Sequence, residues 1–171
     1  MLLEDLSLNV SYTYLDTELE EAANITSTTP GVQIIPSSQP NNDLTFSPEH
    51  SVTASINYLL PLPEEVGDVS LGATWSYTDD QYSTSPEYTN ASGRLAGSPY
   101  ALLESYDILN LNANWQGIFG SNFDASLFMT NALDEEYTAY VAGLYHSLGF
   151  ETRIVGMPKM WGARLRYNFG K

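Results

Sequence analysis

The chain contains few side chains that could perform catalysis. His50 and His146 are its only histidines, it has no cysteine, and neither histidine has a second ligand at the spacing of a metal site. No nucleophile elbow, phosphate-binding loop or dinucleotide fingerprint occurs in the sequence. We therefore expect no enzyme, no catalytic residue, no metal site and no cofactor. Each histidine is interpreted as a solvated polar residue.

Charged residues are the second candidates for a site. Acidic residues occur in adjacent groups, namely Glu20-Glu21, Glu64-Glu65, Asp79-Asp80 and Asp134-Glu135-Glu136. None of these groups has the alternating spacing of a calcium loop. We therefore interpret them first as solvated loop charges, and second as groups that could bind divalent cations. Arg164 and Arg166 occupy alternate positions near the end of the chain. If this segment is a strand in the wall of a barrel, the two arginines would face the barrel interior. They would then pair with acidic groups of a neighbouring strand or of whatever fills the interior, or would contact an anionic substrate.

The composition narrows the class of protein. The net charge is −15, from 21 acidic and 6 basic residues, so nucleic acid is not an expected partner. No apolar run reaches the roughly 20 residues of a transmembrane helix, and a chain that crosses a membrane without helices must form a closed sheet. The first residues lack the basic region and long apolar stretch of a signal peptide, so we expect a piece of a longer protein.

Six segments alternate between apolar and polar side chains, which is the pattern of a β-strand with two different faces. They are residues 4–15, 49–60, 67–78, 105–117, 122–133 and 160–169. In the fifth segment Phe128 interrupts the alternation. The last segment is the most regular, with one face formed by Trp161, Ala163, Leu165, Tyr167 and Phe169 and the other by Gly162, Arg164, Arg166 and Asn168.

The connections between these segments alternate in length. Residues 61–66 and 118–121 are short connections, whereas residues 16–48, 79–104 and 134–158 are long ones. Outer-membrane barrels have short periplasmic turns and long extracellular loops. The pattern therefore predicts an all-β fold, in which about six antiparallel up-and-down strands form a segment of a transmembrane β-barrel. The apolar face would contact outer-membrane lipid.

Four short motifs carry a family resemblance. They are Phe46-Ser-Pro-Glu-His50, Tyr106-Asp-Ile-Leu-Asn110, Asn131-Ala-Leu-Asp-Glu-Glu-Tyr137, and Met157-Pro-Lys-Met-Trp-Gly162 continuing to Phe169. With these motifs in this order, the chain resembles the C-terminal strands of the TonB-dependent outer-membrane receptors. The matching positions, expected to be structural, are Asn131, Leu133, Asp134, Tyr137, Pro158, Gly162, Tyr167 and Phe169. The chain departs from the family pattern at three places: Gly170 and Lys171 follow Phe169, Met160 stands two positions before Gly162 where a polar residue is common, and Ala132 stands where leucine is commoner.

The resemblance implies that residues 1–171 are the last strands of a barrel of about 22 strands, with the N-terminal plug domain absent. It implies active uptake of a scarce ligand such as a ferric siderophore across the outer membrane of a Gram-negative bacterium. TonB would act through the missing plug, and the barrel-assembly machinery would recognise the terminal strand. The resemblance assigns no ligand-binding residue; connections 79–104 and 134–158 are the candidates for ligand contact.

Two other classes of protein fit part of the pattern. A soluble all-β carbohydrate-binding module would explain the alternation and the aromatic residues, and a passive porin or autotransporter barrel would explain the membrane features. In a soluble sandwich, the apolar face of each strand would pack against a second layer of protein. The position of that face in the structure therefore separates the first alternative from the receptor.

Overall fold

The computed structural model describes residues 5–18, 43–89 and 94–170. The first three strands are long and are followed by four strands of two residues: β1 Leu6–Tyr14, β2 His50–Leu59, β3 Asp68–Thr78, β4 Gln81–Tyr82, β5 Tyr88–Thr89, β6 Leu95–Ala96 and β7 Leu102–Leu103. The remaining elements are β8 Tyr106–Gln116, a 3-10 turn Ile118–Gly120, β9 Phe123–Thr130, β10 Thr138–Val141, α1 Tyr145–Leu148, β11 Arg153–Val155 and β12 Met160–Tyr167. None of the helices in these ranges has the length and apolar character needed to cross a membrane.

The six long strands form one antiparallel sheet in the order β1-β2-β3-β8-β9-β12. Each long strand pairs with the next long strand along the chain, which is an up-and-down arrangement. The predicted all-β fold with six antiparallel strands is therefore confirmed, and the observed bounds lie inside the predicted ones. The three long connections leave from one end of the sheet, here called the outer end, and the two short turns lie at the opposite end.

The apolar face of the sheet is exposed. On this face the exposed fraction is 67% for Leu8, 59% for Leu127 and 78% for Trp161. Among the described residues, the buried hydrophobic side chains are Ala101, Leu103 and Val141, all outside the six-stranded sheet. No described element packs over the apolar face, so the second protein layer required by the soluble sandwich is not found in the described ranges.

Two residues explain where the alternation fails. Asn131 has a φ of 48°, so the chain leaves the extended conformation and β9 ends at Thr130, three residues before the predicted end. Phe128 lies on the polar face directly opposite Gly162, and its ring covers the glycine so closely that a Cβ there would overlap it. The large side chain of one strand is therefore accommodated by the missing side chain of the next.

The two short turns are tied together at the end opposite the long connections. The indole Nε1 of Trp115 donates to the carbonyl oxygen of Val66 over 2.8 Å, and the Phe119 N–H donates to the same oxygen over 3.1 Å. The Gly117 N–H donates to Asp124 Oδ1 over 2.9 Å. These contacts satisfy turn groups that would otherwise lack partners.

Candidate functional site at the outer ends of the strands

Asn131 holds the two ends of the third long connection together. Its side chain, with a residue exposure of 3%, donates from Nδ2 to the carbonyl oxygens of Glu135 and Met157 over 2.9 and 3.0 Å. Its Oδ1 accepts a hydrogen bond from the Glu135 N–H over 2.9 Å. Its own N–H donates to Oδ1 of Asn110 over 3.1 Å, which anchors the turn to β8. A short amide side chain at a positive φ is suited to this role.

Tyr137 packs across the same connection. Its ring stacks on Tyr106 with a centroid separation of 4.2 Å, and its carbonyl oxygen accepts the Gly156 N–H over 2.7 Å. A Cβ at Gly156 would overlap the Tyr137 ring, so that position requires glycine unless the ring moves. The stack brings together residues from two of the four sequence motifs.

The other motif positions lie on either side of this cluster or at the opposite end of β12. Leu133, Asp134 and Pro158 are exposed, and Asp134 has a φ of 61° within the turn that Asn131 stabilises. Gly162 lies under Phe128. All eight positions thus lie in turns or in the sheet, and their assignment as structural residues stays a prediction.

The end of the last strand is held by a separate set of contacts at the short-turn end. The ring of Tyr167 lies 4.9 Å from that of Phe123 and 4.6 Å from that of Phe169. Asn168 donates from Nδ2 to Asp124 Oδ2 over 2.8 Å and from its backbone N–H to the Asn122 carbonyl over 2.9 Å. The pairing of β12 with β9 is thereby extended beyond Tyr167.

The second and third long connections pack against each other; we call residues 79–89, 94–105 and 131–159 the joined connections. Ser83, with 6% of its surface exposed, has its Oγ 3.2 Å from the carbonyl oxygens of both Ala101 and Val141. Thr84 lies against Gly143 so closely that a Cβ on the glycine would touch it. With the buried side chains of Ala101, Leu103 and Val141, these contacts form a small core outside the sheet.

Glu151 is the main polar link within the joined connections. Its carboxylate accepts hydrogen bonds from Ser98 Oγ over 2.6 Å and from the Leu144 N–H over 2.9 Å. Desolvation raises the pKa of Glu151, but the hydrogen bonds from Ser98, Leu144, Thr152 and Gly143 outweigh it and leave the pKa below its ordinary value. The ionised form is therefore the one that the fold stabilises.

His146 forms a second link. Its Nε2 lies 2.6 Å from Glu87 Oε2, and its ring makes an edge contact with Tyr145. Tyr145 in turn meets Tyr100 edge-on at 5.5 Å, and the guanidinium of Arg153 lies 5.5 Å from the centroid of Tyr100. The interpretation of His146 as a solvated side chain is therefore wrong in one respect: it has a specific carboxylate partner in the other connection.

The first long connection joins the same surface through its last residues. The Phe46 N–H donates to the carbonyl oxygen of Tyr82 over 2.8 Å, and the Phe46 ring lies parallel to Tyr140 at 6.2 Å. All three long connections thus contribute to one continuous surface at the outer end. The pair Glu20-Glu21 lies outside the described residues.

Carboxylates line a crevice beside β1 and β3. This polar cavity of about 120 Å³ is bordered by Asp16, Asp43, Glu49, Asp79 and Asp80. A hydrogen bond of 3.0 Å from the Tyr77 hydroxyl lowers the pKa of Asp79. His50 bonds through Nδ1 to the Tyr12 hydroxyl over 2.9 Å. Within the described ranges, no three His, Cys, Asp or Glu side chains are grouped so that they could hold a metal ion.

Arg164 and Arg166 lie exposed on the polar face of β12. They border a cavity of about 390 Å³ with Asn114 and Ser126. Among the described residues neither guanidinium forms an ion pair. Asp124 lies opposite Arg166 in the register, but its oxygens accept from Gly117 and Asn168. The expected pairing with an acidic residue of the neighbouring described strand is therefore not found.

The fold is similar to that of solved receptor structures. The ferric yersiniabactin uptake receptor FyuA from Yersinia pestis matches with a TM-score of 0.56 and 17% identity over 75% of this chain and 17% of that chain. FpvA of P. aeruginosa, solved with heterologous pyoverdines and iron, matches with a TM-score of 0.60 and 13% identity over 98% and 18%. The ferric-catecholate import receptor Fiu from E. coli K12 matches with a TM-score of 0.56 and 18% identity over 96% and 18%.

These matches define the class of fold. The chain shares its strand arrangement with part of each of these three structures, which confirms at the level of fold the resemblance predicted from the motifs. The chain spans less than a fifth of the length of each of these receptors. No protein-family model and no curated protein matches the sequence.

Proposed function

We propose that this chain is the C-terminal part of the barrel of a TonB-dependent outer-membrane receptor, which takes up a scarce ligand such as a ferric siderophore. The observation that carries the proposal is the uncovered apolar face of a six-stranded antiparallel sheet whose fold is similar to three iron-chelate receptors. In a membrane this face would meet hydrocarbon, which explains why Leu8, Leu127 and Trp161 have no protein cover.

The polar face supports the same proposal. This face carries Asn112, Asn114, Ser126, Arg164 and Arg166. Ser126 lies opposite Asn114 on one side and opposite Arg164 on the other. A charged side chain at the lipid-facing midplane costs about 2–4 kcal/mol, so a lumen-facing position is the one that these arginines would tolerate. A barrel with a water-filled or plugged interior requires a sheet with one apolar face, towards lipid, and one polar face, towards the interior.

Six strands do not close a barrel, since about eight is the practical minimum. In this proposal the remaining strands, the plug domain and the segment that contacts TonB belong to the rest of a longer protein. The barrel-assembly machinery would recognise β12 together with Phe169, the aromatic residue that follows it. The joined connections would form part of the extracellular vestibule, where the ligand is first met.

A matched pair of substitutions in β9 tests the membrane position in the full-length protein. Leu127→Glu places a charge on the apolar face, and Ser126→Glu places the same charge on the polar face one residue away, opposite Arg164. We expect the first variant to be lost from the outer-membrane fraction and the second to assemble normally. Equal assembly of both variants would contradict the proposed orientation.

Transport is tested in cells. Bacteria that carry the full-length protein should accumulate a radiolabelled ferric chelate under iron limitation, and removal of TonB should abolish that accumulation. Uptake that persists without TonB would instead identify a passive channel.

A further inference from the structure

Phe119 has a backbone conformation that is unusual for a bulky residue. Its φ is 49° and its ψ is 42°, which is the left-handed region. Among the described residues, four residues other than glycine have a positive φ, and two of them are Asn131 and Asp134, whose side chains tolerate it. The other two are phenylalanines, Phe46 at the outer end of the sheet and Phe119 in the second short turn. Such a conformation persists where the surrounding structure fixes it.

Hydrogen bonds fix the turn that contains Phe119. The Phe119 N–H donates to the carbonyl oxygen of Val66, in the first short turn. The Gly120 N–H donates to the carbonyl oxygen of Gly117 over 2.8 Å. Gly117 and Gly120 also have positive φ values, of 61° and 71°. Glycine adopts this conformation at no steric cost, so backbone preference alone would favour glycine at position 119 as well.

The ring of Phe119 extends the apolar face of the sheet. It meets the ring of Trp115 edge-on, with the two centroids 5.2 Å apart. Trp115 lies on the apolar face, opposite Val69 on β3 and Ala125 on β9. Phe119 follows the last residue of β8 by three positions, and 71% of its surface is exposed. The ring therefore continues the apolar face past the end of the strand.

Other exposed aromatic rings lie at the same end of the sheet. The exposed fraction is 44% for Tyr167 and 89% for Phe169. In outer-membrane barrels, aromatic side chains collect where the hydrocarbon meets the headgroups. The other left-handed phenylalanine differs, because the ring of Phe46 stacks on Tyr140 within the protein. The position of Phe119 thus points to lipid as the partner of its ring.

We propose that Phe119 anchors the barrel wall in the periplasmic leaflet of the outer membrane, with its ring at the boundary between phospholipid headgroups and acyl chains. The inference rests on the membrane position in the proposed function, and it adds a lipid contact that is made by a turn. The N–H bond to Val66 and the ring contact with Trp115 hold the side chain towards the apolar face. Lipid would remove the exposed ring from water, which offsets the cost of the left-handed backbone.

Two substitutions at this position separate lipid contact from backbone preference. Phe119→Asn introduces a polar side chain that adopts a positive φ readily, whereas Phe119→Leu keeps an apolar side chain with an unfavourable φ. The full-length receptor is unfolded in urea and diluted into phosphatidylethanolamine–phosphatidylcholine vesicles, and folding is followed by electrophoretic mobility. We expect Phe119→Asn to fold at least about threefold more slowly than Phe119→Leu. Equal or faster folding of Phe119→Asn would overturn the inference.

Phe150 provides the matched control. It is 53% exposed but lies in the joined connections, which are outside the membrane in the proposed function. Phe150→Asn and Phe150→Leu should therefore fold into the same vesicles at equal rates. A difference as large as the one at position 119 would show that the assay reports general hydrophobicity and would overturn the inference.

Photo-crosslinking tests the contact directly, and it decides the question if Phe119→Asn does not fold. The full-length receptor carries p-benzoylphenylalanine at position 119, 127 or 150 and is irradiated in the same vesicles, after which mass spectrometry detects attached phospholipid. We expect phospholipid at 119 and 127 and none at 150. Attachment at 127 but not at 119, or equal attachment at 119 and 150, would overturn the inference and leave the proposed function in place. Attachment at neither 119 nor 127 would contradict both.

Discussion

The side-chain amide of Asn131 donates a hydrogen bond to the backbone carbonyl oxygen of Met157 over 3.0 Å. This contact joins the residue that follows β9 to a residue three positions before the start of β12, so the third long connection leaves the sheet and returns to it at one point. The hydrogen bonds between Asn131 and Glu135 close the turn at the same position. The outer rim above β9 and β12 is thus held by one buried side chain.

Replacing Asn131 should destabilise the barrel. Asn131→Ala removes the three side-chain hydrogen bonds and leaves the partly buried N–H of Glu135 without its partner, which should cost about 2–4 kcal/mol of unfolding free energy. Urea unfolding of the full-length protein in micelles would measure this. Glu136→Ala, at an exposed position of the same connection, is the control and should change stability by less than about 0.5 kcal/mol. Equal effects of the two substitutions would show that the amide contacts are unimportant.

The contact between Gly156 and Tyr137 predicts a case of non-additivity. Gly156→Ala introduces a methyl group that overlaps the Tyr137 ring, and should cost about 1–3 kcal/mol. In the background of Tyr137→Ala the same substitution should cost much less, because the ring is gone. A double-mutant cycle on thermal unfolding measures the coupling. Strictly additive effects would mean that the methyl group is accommodated elsewhere.

Glu151 should make the joined connections sensitive to acid. Its pKa is lowered in the folded protein, so its contribution to stability is present above the ordinary carboxyl pKa of 4.5 and is lost as the pH falls through the lower, folded pKa. Hydrogen exchange of residues 94–103 should therefore increase as the pH falls through this range, after correction for the intrinsic exchange rate. Glu151→Gln should remove the pH dependence, and Glu136→Gln should retain it. Identical pH profiles for the two variants would refute the assignment.

Ser83 should couple the two joined connections. Ser83→Ala removes the hydroxyl that lies between Ala101 and Val141. We expect faster amide exchange in β10 and β11 as well as in β4 and β7, because the buried contact belongs to both connections. Exchange that rises only in residues 79–105 would indicate that the connections move independently.

The sequence predicted the sheet well because its signal is local. Alternation with period two identified all six long strands, and the observed strands end within three residues of the predictions. The residue that interrupts the pattern, Phe128, could not be explained until the register placed it opposite Gly162. Register is a property of two strands, and one strand's sequence does not contain it.

The outer surface was predicted only in part. The motif that contains Asn131 and Tyr137 marked the correct turn, but nothing in the sequence singled out Ser83, Ser98 or Glu151. Ser98 and Glu151 are 53 residues apart in the sequence and meet only because the two long connections fold against each other. Such a contact has no periodicity or spacing that a sequence pattern could reveal. The carboxylate partner of His146 was missed for the same reason.

The central claim is that the apolar face of the sheet meets lipid and the polar face meets an aqueous lumen. These 171 residues contain no cysteine, so single cysteines introduced at positions 125 to 129 in β9 can carry spin labels in a full-length receptor from which any other cysteine has been removed. Labels at 125, 127 and 129 should be relaxed by oxygen dissolved in the bilayer, and labels at 126 and 128 by a water-soluble nickel chelate. Absence of this alternation, or a label at 127 shielded from both reagents by protein, would contradict the account.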